Sequence, residues 1–462
     1  MQNFKKRYPE FALYPESLSS INGISYFIAL RNNVKFIVLH EKDFRFFPAL
    51  ENVKMLQDRF PFLKARACGT RKSFGFGDRL GLAAPGHIRA LKKHCFFPIL
   101  AQQSPRELKR TGRSFREVMD SAVLGSFQEG YKEGFGADAD HIKKTEDLQE
   151  AADAGFSFFT IDPSDKVYRP ETLPVLKKKG ILSHHMHETG KLYAGKKYHA
   201  GGKKHEFNEE TLSLLILTYA ESLDHVEKCY RFLKNRLSFF DFEVSFDETS
   251  LPTTPLAHIF IAEELEKRGV VFQSLALKFP GKFEKGIDYR GDVNLLEREL
   301  EIHDEIRKKM GNYKLSLHSG SDKFSIYPVF KKILGEKIHV KTSGTSWIES
   351  VRVIAERDFP FFLEVMDGCI ADFEKNAASY EISAHTDMLQ RKKLENREIE
   401  ELFSDINIRQ VLHIGYGTVL ASKSGEGKYL YRDRFFEILN ENEEFYYNML
   451  SSHLGKHLNL LQ

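Results

Sequence analysis

Two imidazoles, four carboxylates and two lysines of this chain stand where short apolar runs give way to polar residues. Asp78 follows Ser73–Gly77, Gln102 ends Phe96–Gln102, Asp162 ends Phe156–Asp162, and Glu243 and Asp247 punctuate Phe242–Asp247. Lys278 ends Val271–Lys278, His318 ends Lys314–His318, Lys341 lies in His339–Thr342, and His413 ends Gln410–His413. Imidazole nitrogens with carboxylate oxygens make an open N/O-type site for a divalent cation. Carboxylates on opposite sides of such a site can act as general acid and base. A lysine inside a core either forms a Schiff base with a keto sugar or binds substrate as a plain cation. For Lys278 the second is favoured, because a metal already supplies the electron sink. The plainer alternatives are a hydrogen-bonded structural role for each histidine and, for Glu243, a deep carboxylate paired with a lysine across the core.

These residues can meet only if the runs that carry them converge. Eight runs, with helical patterns between most of them, specify an α/β chain folded as a (β/α)8 TIM barrel. Such a barrel gathers its strand C-termini at one mouth, and side chains alternate between the lumen and the helix layer. On that reading Glu243, Ser245 and Asp247 face inward from strand four, Ser316 and His318 from strand six, and His413 closes strand eight. Even strands then offer Gln102, Asp247, His318 and His413 to one neighbourhood, and odd strands add Asp78, Asp162, Lys278 and Lys341.

At 462 residues the chain exceeds the roughly 250 of a bare barrel, so additions are expected. Residues 1–60 read as a small N-terminal β extension, with a hairpin around Arg31-Asn-Asn, and 61–462 as the barrel. Residues 165–207 form a basic insertion after strand three, read as lying over or near the mouth. It holds Lys177-Lys-Lys-Gly and His184-His-Met-His187-Glu188, a solvated face or positive lid rather than a tight metal site. Ser104-Pro105 starts a helix expected to run to about Glu129, and 209–236 is a long amphipathic helix. Extra helical material fills 359–405, and a last helix begins near Arg434.

A net charge of +3, with 42% apolar and 29% charged residues, gives no global case for nucleic acid or an anionic membrane. The four cysteines are far apart with no CxxC, Met1–Arg7 is not followed by an apolar core, and no stretch nears ~20 apolar residues. A cytoplasmic protein is the expectation. Gly75-Phe-Gly77-Asp-Arg-Leu-Gly81 is spaced GxGxxxG and lacks the downstream acid of a dinucleotide fingerprint. His318-Ser-Gly-Ser-Asp322 and Thr342-Ser-Gly-Thr-Ser346 are either anion-binding helix starts or ordinary caps.

Longer motifs carry a resemblance. Phe74-Gly-Phe-Gly-Asp-Arg-Leu-Gly-Leu-Ala83 with Pro85-Gly-His87, Ser245-Phe-Asp-Glu-Thr249, Phe279-Pro-Gly281, Leu317-His-Ser-Gly-Ser-Asp322 and Lys341-Thr-Ser-Gly-Thr345 resemble the tagaturonate epimerase family. The likeness runs from about residue 60 to the C-terminal helix. It implies a metal-dependent hexuronate C4-epimerase on a TIM barrel, interconverting D-tagaturonate and D-fructuronate. The implied cofactor is a divalent cation (Zn, Mn, Ni or Co), and the implied partner a small keto-uronate, with a homo-oligomer allowed. Strand geometry then assigns Asp162 and Glu243 as acid/base pair, Lys278 to polarise or bind substrate, and Asp247, His318 and His413 to the metal. Arg79, Lys341 and His87 would hold the uronate carboxylate, with Asp78 and Gln102 lining the site. The rivals are a class II-type aldolase or keto-sugar isomerase on the same barrel, and a non-catalytic sugar-acid binding protein.

Overall fold

In the computed structural model, residues 1–168, 192–387, 389 and 391–462 are described. The N-terminal extension is an antiparallel sheet of β1 (Ala12–Ile21), β2 (Ile24–Arg31), β3 (Val34–His40) and β4 (Phe44–Pro48). Alternation gives it two apolar faces. Phe27, Ala29 and Val38 pack on Phe4 of the first helix, while Tyr26, Ile28, Ile37 and Leu39 join the main core. Lys35 ties the sheet to Glu443 of the C-terminal helix at 2.6 Å.

Parallel strands β5 (Ser73–Phe76), β6 (Phe97–Gln103), β7 (Gly136–Ile142) and β8 (Phe158–Ile161) build the first half of a closed barrel. After a hairpin of β9 (Lys197–Ala200) and β10 (Lys203–Glu206), the barrel closes with β11 (Asp241–Ser245), β12 (Ser274–Ala276), β13 (Lys314–Leu317) and β14 (Ile338–Thr342). These strands are buried on both faces, so they read as apolar runs interrupted only where a polar side chain enters the lumen.

The barrel is as expected, but its membership is not. β7 reads Gly-Ala-Asp-Ala-Asp-His-Ile, and its outward positions are Ala137 and Ala139, small residues with poor strand propensity. Gln410–His413, taken as the last strand, lies in the helix Ile406–Ile414. A run of so few apolar residues has no periodicity that separates strand from helix. Phe158–Ile161 is therefore the fourth strand around the barrel, and the basic insertion follows it.

Lys177–Gly180 and the His184–Glu188 cluster lie outside the described residues. The described end of the insertion, β9–β10, packs on the outer helices Pro255–Lys267 and Val293–Met310. Tyr193 donates to Glu264 at 2.8 Å and the Gly201 amide to Glu305 at 2.9 Å, so this part sits in the helix layer, not over the mouth. Ser104 and Ser114 each close a capping box, so the single helix expected to Glu129 is two, Pro105–Thr111 and Phe115–Gln128, broken at left-handed Gly112. The long helix is Glu209–Lys234, and the chain ends in Glu443–Leu461.

Candidate active site

Charged residues fill the lumen in layers. The middle layer is Asp138 from β7, Thr160 from β8, Glu243 from β11 and Lys341 from β14, all buried. The Lys341 ammonium lies 2.7 Å from Asp138, 2.8 Å from Asp140 and 2.8 Å from Glu243. Burial pulls its pKa down, but these three carboxylates outweigh that and hold it well above the ordinary lysine value. Asp138 moves the other way: burial and its carboxylate neighbours raise it to about 7, against the pull of Lys341. Glu243 thus is paired with a lysine across the lumen.

The upper layer holds two histidines, each backed by a carboxylate. His318, just past β13, has Nε2 2.7 Å from Glu243 and Nδ1 3.1 Å from Asp247. His141, inside β7, has Nδ1 3.3 Å from Asp162 and Nε2 3.8 Å from Asp140. The two rings meet edge to face with centroids 4.9 Å apart. Burial lowers both imidazoles, yet Asp247 and Glu243 carry His318 to about 9, and Asp140 and Asp162 carry His141 to about 10.

The five surrounding carboxylates favour the charged form of both adjacent imidazoles. A divalent cation would supply the same two charges and leave both rings neutral. Asp140, His141 and His318 each offer a ligand atom within 4.8 Å of the others. Carboxylates behind ligating histidines are the usual second layer of such sites, and Asp162 and Glu243 occupy that place. The donor set fits a divalent metal of the N/O type.

Above His318 opens a cavity of about 270 Å³, lined by Asp247, Glu248, Lys278, Lys285, Ser319 and Tyr380. A narrower cleft shares Lys285, His318, Ser319 and Tyr380 with it and leads down to Asp140, His141 and Lys341. The size is at the low end for small-ligand pockets, suited to one sugar.

Of the residues expected at the site, Glu243, Asp247, His318, Lys341 and Asp162 converge. Lys278 lines the cavity wall, and Gln102 lines the cleft while donating to the Thr342 carbonyl at 3.1 Å. His413 does not belong. It rides on a helix packed against Thr345–Arg357 and Phe359–Ala371, with its ring against Gly344, and among the described residues it is not grouped with the Asp140, His141 and His318 donors. Asp78 is a turn residue: its carboxylate accepts the amides of Leu80, Gly81 and Ala83. His87 is stacked on Phe76, bonded to Ser346 at 2.7 Å, and held neutral by burial with a pKa of about 4. Arg79 reaches the cleft, but its donors go to Glu107 at 3.0 Å and the His413 carbonyl at 2.9 Å, and it stacks over Tyr416. Lys341 is ringed by carboxylates, which would repel a further anion. A carboxylate-holding role therefore fails for His87, Arg79 and Lys341.

Asp138, Asp140 and His141 escaped the sequence reading with their strand; the Asp-Ala-Asp alternation was the signal for it. Lys285 lies in the long β12–helix connection, where no pattern marks it.

A closed (β/α)8 barrel with acid, base and cation-binding groups at its strand C-termini has the layout of a TIM-barrel enzyme. The sequence profile of the tagaturonate epimerase family, UxaE, matches residues 14–461. A tagaturonate/fructuronate epimerase of Thermotoga maritima is 44% identical over 456 residues, covering 97% of this chain and 90% of that one. Crystal structures of the fructuronate-tagaturonate epimerase UxaE of Cohnella laeviribosi superpose with TM-scores of 0.92 native and 0.92 with one glycerol. They are 34% and 35% identical, covering 100% of this chain and 98% and 99% of theirs. The chain belongs to the tagaturonate epimerase family. It is an isomerase, which removes the non-catalytic binding-protein reading. Among the described residues, no helix is long and apolar enough to cross a membrane.

Proposed function

We propose that this enzyme interconverts D-tagaturonate and D-fructuronate by inverting C4 through retro-aldol and aldol steps. In a 2-keto uronate the ketone acidifies C3–H and the carboxylate C5–H, so C4–H is not directly removable. Deprotonating the C4 hydroxyl lets the C3–C4 bond break, its electrons passing to an enediolate over C2 and C3 while C4 becomes an aldehyde. Rotation of that aldehyde and re-attack by C3 on its other face re-forms the bond, and the proton returns to O4. No external oxidant or reductant is needed.

Asp247 and Glu248, the cavity-facing carboxylates at the end of β11, are assigned as the groups that take and return this proton. Asp162 and Glu243 act at one remove, orienting His141 and His318. Lys278 at the cavity wall polarises the bound substrate, while Lys341 beneath the site holds Asp140 and Glu243 in place. A divalent cation held by Asp140, His141 and His318 would supply Lewis-acid stabilisation of that charge.

The observation that carries this reading is the pair of carboxylate-backed histidines facing Asp140 beside a sugar-sized cavity. Purified enzyme should convert tagaturonate to fructuronate, lose that activity to EDTA, and regain it with Zn, Mn, Ni or Co. Activity indifferent to chelation would remove the metal from the mechanism, and release of three-carbon fragments without epimer would favour an aldolase.

A further inference from the structure

The keto-uronate reading leaves one substrate group without a partner, the C6 carboxylate. Among the described cations that line the cavity and cleft, nearly all already face a carboxylate. Arg79 is paired with Glu107 at 3.0 Å, Arg106 with Glu248 at 3.3 Å and Lys278 with Glu381 at 3.9 Å. Lys341, His141 and His318 are committed in the lumen. Lys285 differs: among the described residues no carboxylate comes within 4.0 Å of its ammonium, which donates to Ser319 Oγ at 2.5 Å. It lines both cavity and cleft, and an ammonium has three donors, so two stay available to the cavity.

Its surroundings are built to hold it there. Ser319 directly follows His318 and has φ of +51°, a left-handed conformation unusual outside glycine, which sets its hydroxyl beside Lys285. The loop under Lys285 is braced on both sides. Fully buried Lys323 donates to the carbonyls of Glu284 at 2.9 Å, Ser321 at 3.1 Å and Ile287. Arg409 donates to the Gly286 carbonyl at 2.7 Å and to Asp322 at 2.7 Å, and Asp322 in turn binds His453 of the C-terminal helix at 2.5 Å. The Asp322–His453–His457 group could also be taken for a metal site. The Arg409 charge, and the Asp322 amide donating to His457 Nε2 at 3.0 Å, instead make it the anchor of this brace.

We propose that Lys285, with the Ser319 hydroxyl, binds the substrate's terminal carboxylate and selects acid sugars over neutral ones, and that Lys323 and Arg409 are its positioning residues. This assignment rests on the keto-uronate reading.

The test compares the keto-hexuronate with the keto-hexose of the same stereochemistry, in which CH2OH replaces the carboxylate. Dissociation constants are measured by calorimetry, with KM and kcat for the acid alongside. Wild type should bind the acid more tightly. In Lys285→Met that preference should collapse, with Kd and KM for the acid up about ten- to a hundredfold, kcat within a few fold, and the neutral sugar's Kd unmoved. Lys285→Arg should recover part of the loss. Lys323→Met should shift KM the same way by less, and Lys285→Met stands on its own if that buried variant does not fold. An unchanged acid preference in Lys285→Met, equal losses for both ligands, or no preference in wild type would each overturn the assignment. Wild type that leaves the keto-hexuronate unconverted would instead sink the reading beneath it.

Discussion

Lys341 shows what a single side chain can hold together in a closed barrel. Its ammonium is the cation that three buried carboxylates share, and taking it away leaves them facing one another without water. Uncompensated buried charge is among the costliest defects a point substitution can create. Lys341→Met should lower stability by about 3–5 kcal/mol, read as a shift of the urea midpoint, and abolish turnover. Asp247→Asn is the contrasting case. That carboxylate is partly open to the cavity, so the fold should survive while kcat falls about 10²- to 10⁴-fold. A kcat within a few fold of wild type would move the proton transfer to another group. The difference between the two variants is one of depth: Lys341 supports the layer, and Asp247 faces the substrate.

At the level of elements, the strand ends are pressed together more closely than most side chains allow. The loop leaving β5 passes β14 at Gly77, where an added Cβ would lie 2.6 Å from both Ser343 Cα and the Thr342 carbonyl. Those atoms are backbone and cannot swing aside. Gly77→Ala should therefore force β5 and β14 apart at the mouth, costing about 1–3 kcal/mol and disturbing the Lys341 position one residue before Thr342. A thermal midpoint equal to wild type would show that the strands can part freely. In the glycine-rich stretch 75–81, poor as a dinucleotide fingerprint, Gly77 is thus explained by the close approach of β14, whereas Gly75 lies against the Gln102 side chain and Gly81 has a left-handed φ of +82°.

Across the whole molecule, buried neutral histidines set the response to acid. Burial lowers His87 and His303 to about 4, and holds His258, His339 and His413 well below the usual imidazole value. A depressed folded pKa means that, as pH drops below about 6.5, the unfolded chain takes up protons that the fold refuses. Stability must then fall from near pH 6.5 down to the folded values, and each shift to about 4 corresponds to roughly 3 kcal/mol. His141 and His318 have the opposite sign. In metal-free protein their raised values give a contribution complete below about 6.5 and lost only as pH climbs through about 9 to 10, outside the acid window. Thermal unfolding followed from pH 7 to 4.5 should show a steadily falling midpoint. A flat profile would mean that these rings are charged or solvated in the fold.

The succession of apolar runs separated by helical patterns was enough to specify a (β/α)8 barrel and to put Glu243, Asp247, His318 and Lys341 at its mouth, because alternation along a strand is a local property. What sits opposite what is not local. Glu243 meets His318 across 75 positions of sequence, and Asp162 meets His141 only because β7 stands beside β8. Losing one alanine-rich strand and gaining one false strand shifted the count around the circle, which hid Asp138, Asp140 and His141 and admitted His413. Lys285 was invisible for another reason: an irregular loop has no period, and only the carbonyls that Lys323 and Arg409 grip fix where its ammonium points. Sequence thus decided which faces of the chain carry charge, while closure of the barrel decided which charges confront each other, since that depends on strand number and register together.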